Sequence, residues 1–257
     1  MINRFTGKNV WIIGASEGIG FALASSLAES GANLFISGRN EQKLKEALTQ
    51  MNQPTSNALQ LDVTDAKSVS EAWTKLKTRW NNIDYFIYNA GDYEPLEAYK
   101  ANPISVEKAN KIIDVNLKGF VTCLGLIIPK FLEQGSGNIA VTSSVAGYFG
   151  MPKSFTYGAS KAALINLAET LRIELSQKNI NIQVINPGFV KTRLTEKNNF
   201  DMPFMLTPEE ASDRIMKKLG KDIFEIHFPA KFSVPLKILR LLKYEIFFPI
   251  IRKLTKV

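Results

Sequence analysis

One cysteine and one histidine are all that the 257 residues contain of either type. With Cys123 alone, no disulfide can form within the chain, which favours a reducing compartment. Its apolar setting, Phe120-Val121-Thr122-Cys123-Leu124, predicts a buried packing residue rather than a nucleophile. The N-terminus, Met1-Ile2-Asn3-Arg4-Phe5-Thr6-Gly7-Lys8, lacks the apolar run of a signal peptide. No stretch reaches the roughly 18 uncharged apolar residues that a spanning helix needs. Neither export nor a membrane span is expected, and a cytoplasmic protein is. Internal repeats, low-complexity segments and linkers are also missing before the last stretch of chain.

Hydrophobic residues make up 45%, enough for a sizeable core, and the length suits one large α/β domain. The net charge of +8 is unevenly placed. Residues 231–257 carry Lys231, Lys237, Arg240, Lys243, Arg252, Lys253 and Lys256 against the single acid Glu245, so most of the excess belongs to this tail. The main domain, read as residues 1–230, therefore has no nucleic-acid signature.

Apolar, β-branched runs at 10–13, 33–37, 58–61, 84–88, 138–142 and 181–185 read as strands. Between them, helical patterns cover 21–30, 41–50, 68–79, about 106–131 and 157–176. This βαβα rhythm predicts an α/β fold, a parallel sheet with helices on both faces.

The first strand ends in Gly14-Ala15-Ser16-Glu17-Gly18-Ile19-Gly20 and runs into a helix. Glycines there permit a tight turn and close approach of backbone N–H groups to a pyrophosphate, and the helix N-terminus adds a favourable field. The same residues contain G-x-S-x-G, the nucleophile-elbow pattern of α/β-hydrolases. That rival needs earlier strands and a catalytic histidine. Only thirteen residues precede Gly14, and the sole histidine, His227, stands beside a proline near the basic tail.

Three further patterns occur at strand ends or helix starts. Asn89-Ala90-Gly91 closes the fourth strand, Thr142-Ser143-Ser144-Val145-Ala146-Gly147 closes the fifth, and Tyr157-Gly158-Ala159-Ser160-Lys161 opens a helix. Together with the glycine loop, in this order from about residue 8 to 192, they make the chain resemble the short-chain dehydrogenase/reductase family. The resemblance implies a doubly wound, Rossmann-type sheet of seven parallel strands with a nicotinamide cofactor across its carboxyl edge, no metal, and a homodimer or homotetramer. It implies Tyr157 as the acid–base group, Lys161 as the partner of the nicotinamide ribose, Ser144 as the ligand of the substrate oxygen, and Asn116 as a member of a proton relay through water. Cofactor contacts are implied for Gly14, Ser16, Glu17, Gly18, Ile19 and Gly20, for Asp62 and Val63 near the adenine, and for Asn89, Ala90 and Gly91. Pro187, Gly188, Val190 and Thr192 would border the nicotinamide.

These residues suit carbonyl–alcohol chemistry. Reduction needs a hydride on carbon and a proton on oxygen. A tyrosine with an ordinary pKa of about 10 can give that proton, and a nearby cation is expected to draw the pKa toward working pH. Tyr157 and Lys161, four residues apart, share one helix face. The intact set Asn116, Ser144, Tyr157 and Lys161 argues against the alternative of a low-turnover cofactor-binding scaffold or sensor on the same fold.

The second strand ends Ser37-Gly38-Arg39-Asn40, without the acid that usually binds the ribose hydroxyls of NAD. Arg39 suits a 2′-phosphate and can stack on adenine, and Ser16 adds a hydroxyl. NADP(H) is the expected cofactor, although Glu17 stands where many NADP-preferring relatives carry a basic residue. Residues 198–206, apolar and flexible in composition, read as a lid over an apolar, lipid-like substrate. Thr207-Pro208-Glu209-Glu210 reads as a capped helix start. The tail alternates cations with apolar and aromatic residues, a pattern compatible with peripheral membrane binding, with closure of the protein's own pocket, or with an oligomer contact.

Overall fold

A computed structural model describes residues 4–100 and 102–255. In chain order its elements are β1 (Asn9–Ile13), α1 (Gly18–Glu29), β2 (Asn33–Gly38), α2 (Glu41–Gln50), β3 (Ala58–Gln60), α3 (Ala66–Lys77), β4 (Tyr85–Tyr88), α4 (Pro103–Ile113), α5 (Gly119–Gln134), β5 (Gly137–Thr142), α6 (Tyr157–Leu175), β6 (Ile180–Pro187), α7 (Pro208–Met216), β7 (Glu225–Phe228), α8 (Ala230–Leu239) and α9 (Tyr244–Thr255). The seven strands form one sheet in the order β3-β2-β1-β4-β5-β6-β7, every neighbouring pair parallel. The order reverses between β1 and β4, and ligands of such sheets bind outside the carboxyl ends at that switch point.

Period-two alternation sends successive residues of each strand to opposite faces, and both faces are apolar. Trp11 and Ile13 face a core built with Val69, Trp73 and Leu76 of α3, Phe120, Ile127 and Phe131 of α5, and Leu164 and Ala168 of α6. Val10 and Ile12 face a second core with Leu23 and Leu27 of α1, Leu44 and Leu48 of α2, and Ile215 of α7. Cys123 is fully buried in the first core, and burial pushes its thiol up to about 12. It is a packing residue, as its neighbours imply.

Three departures from the expected elements have physical reasons. Helix α1 starts at Gly18 rather than residue 21. Glycine is a weak helix former, yet close packing of this first turn against the glycine loop needs it there. The long helix expected at 106–131 is α4 and α5 joined by a π-turn over Asp114–Lys118, which carries Asn116 to the interior. Such one-residue insertions re-aim side chains and recur at functional sites. Finally, β7 alternates Glu225 and His227 with buried Ile226 and Phe228. Too short and too polar to stand out in the sequence, it was implied by resemblance alone.

Residues Ser105–Gln134 are long enough and, over an 18-residue stretch, apolar enough by composition to cross a bilayer, although Glu107, Lys108, Lys111, Asp114, Lys118, Lys130 and Glu133 are charged. Nearly half of their apolar window is buried, with Phe120, Cys123, Ile127 and Phe131 in the core. The run is accounted for as a core element. The capped start of α7 is present: Thr207 accepts from the Glu210 N–H at 3.2 Å while Glu210 accepts from the Thr207 N–H at 2.9 Å. As far as Thr255, the basic tail is largely helical and packed. Leu236 of α8 lies with Val145 and Tyr148, and Phe247 of α9 meets Phe149 edge-on at 5.0 Å.

Candidate active site

The carboxyl ends of β1, β4, β5 and β6 converge, and hydrogen bonds between their loops hold them in register. Asn89, just past β4, donates to the Gly14 carbonyl at 2.9 Å and accepts from the Thr142 hydroxyl at 3.0 Å. Gly14 has φ +83°, and a Cβ there would lie 2.6 Å from the Ala90 nitrogen. A Cβ at Gly20 would lie 2.0 Å from the Gly14 carbonyl oxygen and 2.6 Å from the Asn89 amide nitrogen. Gly20→Ala must therefore push α1 off the loop. We expect a loss of about 1–3 kcal/mol in urea unfolding and weaker cofactor binding. Unchanged unfolding would contradict the close packing.

No side chain caps the N-terminus of α1, and its first turn holds no acid. Its leading backbone N–H groups are thus left for an external anion. Thr192 stands over this turn: its Cγ2 is 3.1 Å from where a Gly18 Cβ would be. Ser16 lies beside Gly38 at the end of β2, where its hydroxyl is 3.9 Å from the position of an added Cβ. Arg39 is exposed next to it, and no carboxylate among the described residues lies within ion-pair distance of its guanidinium. This cradle fits the pyrophosphate and adenosine ends of a dinucleotide. Ile19 packs partly buried against the second core, and Val63 is buried in the first core. Asp62 spends one carboxylate oxygen on the N–H and hydroxyl of Thr64, at 2.9 and 2.8 Å.

Glu17 is not a bare negative charge. It pairs with Arg193 at 2.9 Å and with Lys43 at 3.2 Å, tying the glycine loop to α2 and to the segment after Thr192. Neither partner was legible as such, because each is distant in sequence.

The other half of the site is built on α6. Tyr157 is its first residue and Lys161 lies one turn later. Lys161 is 3% exposed, and its ammonium donates to the Thr142 carbonyl at 2.9 Å. It stands 5.6 Å from the Tyr157 ring centre. Gly91, Asn116 and Lys161 meet at one point, since a Cβ on Gly91 would be 3.6 Å from both the Asn116 carbonyl oxygen and the Lys161 nitrogen. Asn116 itself is fully buried and clamped. It accepts from the Asp92 N–H at 2.7 Å and donates to the Asp92 carbonyl at 3.1 Å and to Ser160 at 2.9 Å. Its side chain thus fastens the chain after β4 to the first turn of α6.

The two serines after β5 have different tasks. The Ser143 hydroxyl is consumed by the Lys161 carbonyl at 2.7 Å. Ser144 accepts from the Ala146 N–H at 3.1 Å, lies 3.5 Å from the Pro187 carbonyl, and interacts with the Tyr157 phenol. Gly188, next in chain, donates to the Phe228 carbonyl at 2.7 Å and packs under Phe232 of α8.

Electrostatics depart from the expectation that Lys161 lowers Tyr157. Burial pushes the phenol up to about 12, against a lowering contribution from Ser144. Burial likewise pulls Lys161 down to about 7. The lysine has no carboxylate partner among the described residues, and its ammonium donates to the Thr142 carbonyl. Desolvation of both groups outweighs their mutual effect. The tyrosine is therefore protonated at neutral pH.

Several residues at the mouth escaped the sequence reading. Tyr93 packs edge-to-face on Tyr157 at 4.8 Å and donates to Asn198 at 2.6 Å. Lys197 donates to the Tyr93 carbonyl at 2.6 Å. These contacts bring the stretch after Thr192 over the site. Its base is pinned where Val190 pairs with Leu206. From there Phe200, Phe204 and Met205 remain exposed, and Phe189 contacts Phe200 at 6.0 Å and Phe232 at 5.4 Å. The side of the site past Ser144 and Gly188 is aromatic.

Comparisons with known proteins agree with this architecture. The sequence profile of the short chain dehydrogenase family matches residues 8–203. An uncharacterized oxidoreductase of Myxococcus xanthus is 32% identical over 250 residues, 96% of this chain and 97% of that one. An uncharacterized oxidoreductase of Staphylococcus epidermidis is 33% identical over 208 residues, 81% of this chain and 89% of the other. Among solved structures, ElxO with NADP bound superposes with a TM-score of 0.75 at 25% identity, covering 86% of this chain and 98% of its own. A ribose-5-phosphate isomerase from Brucella melitensis 16M reaches 0.79 at 22% identity, over 88% of this chain and 92% of that one, a likeness of fold alone.

Proposed function

This chain belongs to the short-chain dehydrogenase family, and from that premise we propose that it is an NADP(H)-dependent oxidoreductase interconverting a carbonyl and a secondary alcohol on an apolar substrate. The observation that carries the reading is the convergence of Gly91, Asn116 and buried Lys161 just past β4, with Tyr157 one helical turn before Lys161 on α6.

The nicotinamide cofactor, when bound, supplies the hydride in reduction and takes it up in oxidation. The protein's part is to bind, orient and move the proton. The first-turn N–H groups of α1 would hold the pyrophosphate, and Arg39 with Ser16 the 2′-phosphate. Ser144 would hydrogen-bond the substrate oxygen as negative charge develops on it, and Tyr157 would pass its phenolic proton to that oxygen. Lys161 would lie against the nicotinamide ribose and restore the proton balance near the phenol. Asn116 holds the first turn of α6 in place through Ser160, a positioning role supported by its three hydrogen bonds. A relay through its side chain alone is not favoured, because those bonds occupy it.

NADP(H) is supported by Arg39, which has no carboxylate within ion-pair distance among the described residues, and by the neutralised state of Glu17. Paired with Arg193 and Lys43, that carboxylate leaves no uncompensated negative charge beside a phosphate. Arg39→Ala is expected to weaken NADPH binding about tenfold or more, the worth of a charge-assisted hydrogen bond, and to leave NADH binding nearly unchanged. Fluorescence titration with each reduced cofactor measures both. A higher kcat/KM for NADH than for NADPH in the unaltered protein would overturn the preference. The apolar substrate is supported by Phe189, Phe200, Phe204 and Phe232 on one side of the site. Initial rates of NADPH oxidation across a panel of aldehydes and ketones of increasing chain length test it, with kcat/KM expected to rise with length.

A further inference from the structure

We propose that the face formed by α8, α9 and the turn between them docks the protein onto an anionic lipid surface. Each of the two helices has an inner side that is spoken for. Leu236 and Leu239 of α8 pack with Val145 and Tyr148, and Phe247 and Ile251 of α9 are buried. The outer side of α8 is apolar as well. Val234 and Ile238 on the helix and Leu241 in the turn after it, spaced four and three residues apart, are 42%, 58% and 84% exposed. On the shoulder of α9, Tyr244 and Phe248 stack one turn apart with centres 5.4 Å apart, and both are exposed. Among the described residues these five side chains all remain exposed. A helix with aliphatic and aromatic residues on one side and cations beside them is built to lie in a headgroup region.

The charge selects the occupant. Glu245 is the only acid in residues 231–257. Lys237 is taken by Glu225, and Arg240 donates to the Tyr148 carbonyl at 3.0 Å. By contrast Lys231, Lys243, Arg252 and Lys253 have no carboxylate within 4 Å among the described residues. A second copy docking face to face would set cations against cations around the apolar stripe. A bilayer of anionic lipids offers both an apolar interior for the stripe and negative headgroups for its rim. Helix α8 also adjoins the aromatic side of the site, since its Phe232 meets Phe189 with ring centres 5.4 Å apart. The inference does not depend on the proposed reaction, and its test contains no substrate.

The test is co-sedimentation of the full chain with phosphatidylcholine vesicles containing about one-third phosphatidylglycerol, beside phosphatidylcholine alone. Binding is expected to be at least about tenfold stronger to the anionic vesicles and to weaken as salt rises from about 0.1 to about 0.5 M. The double variant Lys243→Gln/Arg252→Gln is expected to lose roughly 30-fold in affinity, and Tyr244→Ser/Phe248→Ser about tenfold. All four positions are exposed, so the fold should hold, and unchanged thermal midpoints check this. Failure of the full chain to bind anionic vesicles overturns the proposal. So does binding that neither double variant weakens. Light scattering on the same variants gives the third outcome: if they dissociate an oligomer, the face is a contact between copies and the proposal is wrong.

Discussion

Tyr157→Phe is expected to lower kcat for carbonyl reduction about a thousandfold, within the range that a positioned proton donor contributes, while NADPH binds as before. The substitution removes one oxygen and little else. The ring still packs edge-on against Tyr93, and α6 still starts at the same residue, because Asn116 and Ser160 hold its first turn through other atoms. What disappears is the phenolic O–H. Because burial keeps the Tyr157 pKa near 12, the wild-type donor is protonated throughout the neutral range. Reduction should therefore stay nearly flat between about pH 6 and 9 as far as this group is concerned, whereas alcohol oxidation, which needs the phenolate, should climb with pH. Steady-state rates give the first result and fluorescence titration the second. Retention of activity within a few-fold would remove Tyr157 from the mechanism. A large loss of NADPH affinity would assign it to binding instead.

Lys161→Met carries the second large effect, and its sign runs opposite for stability and for activity. Burial lowers the Lys161 pKa from 10.5 to about 7 without any carboxylate to compensate. Between those values the unfolded chain holds a proton that the folded chain partly lacks, so stability rises with pH across the window from about 7 to about 10.5. The cost at pH 7 relative to high pH is on the order of 4 kcal/mol. A methionine of similar length avoids that cost, at the expense of the hydrogen bond to the Thr142 carbonyl. The variant should unfold at a higher urea concentration than wild type at pH 7, and the difference should shrink toward pH 10. Its activity should fall at least a hundredfold if Lys161 serves the phenol and the nicotinamide ribose as proposed. Parallel urea titrations at the two pH values measure the first effect. Equal pH dependence in wild type and variant would mean that the buried ammonium is not what the stability curve reports.

How much of this was written locally in the chain differs from part to part. Six strands stood out because apolar runs in a doubly covered sheet are continuous. The seventh, at Glu225–Phe228, did not, because an edge position lets two of its four residues be only half-buried. The site's main groups sit at strand ends and at one helix start, where Gly14, Asn89, Ser144 and Tyr157 carry recognisable neighbours. The glycine loop could be read as an anion cradle, yet the close contact that requires Gly20 involves Gly14 and Asn89 together and exists only in three dimensions. The same holds for the partners of Glu17 and for Tyr93 with Asn198, brought together by loops far apart in sequence. The π-turn at Asp114–Lys118 has no local signal, because a single inserted residue leaves the helical pattern intact on either side. Least legible was the sign of the electrostatics. The four-residue spacing of Tyr157 and Lys161 predicts proximity, but whether the cation or the desolvation dominates depends on how deeply both are buried.

The central claim, that this site moves a hydride between a nicotinamide and a carbonyl carbon with Tyr157 as proton donor, is tested most directly by isotope transfer. NADPH labelled with deuterium at both C4 positions is incubated with the full chain and an apolar ketone panel, and the products are analysed by mass spectrometry. The account predicts one deuterium on the carbinol carbon of at least one product with the wild-type chain, and a yield reduced about a thousandfold with Tyr157→Phe. No transfer to any carbonyl, or transfer undiminished in the variant, would contradict it.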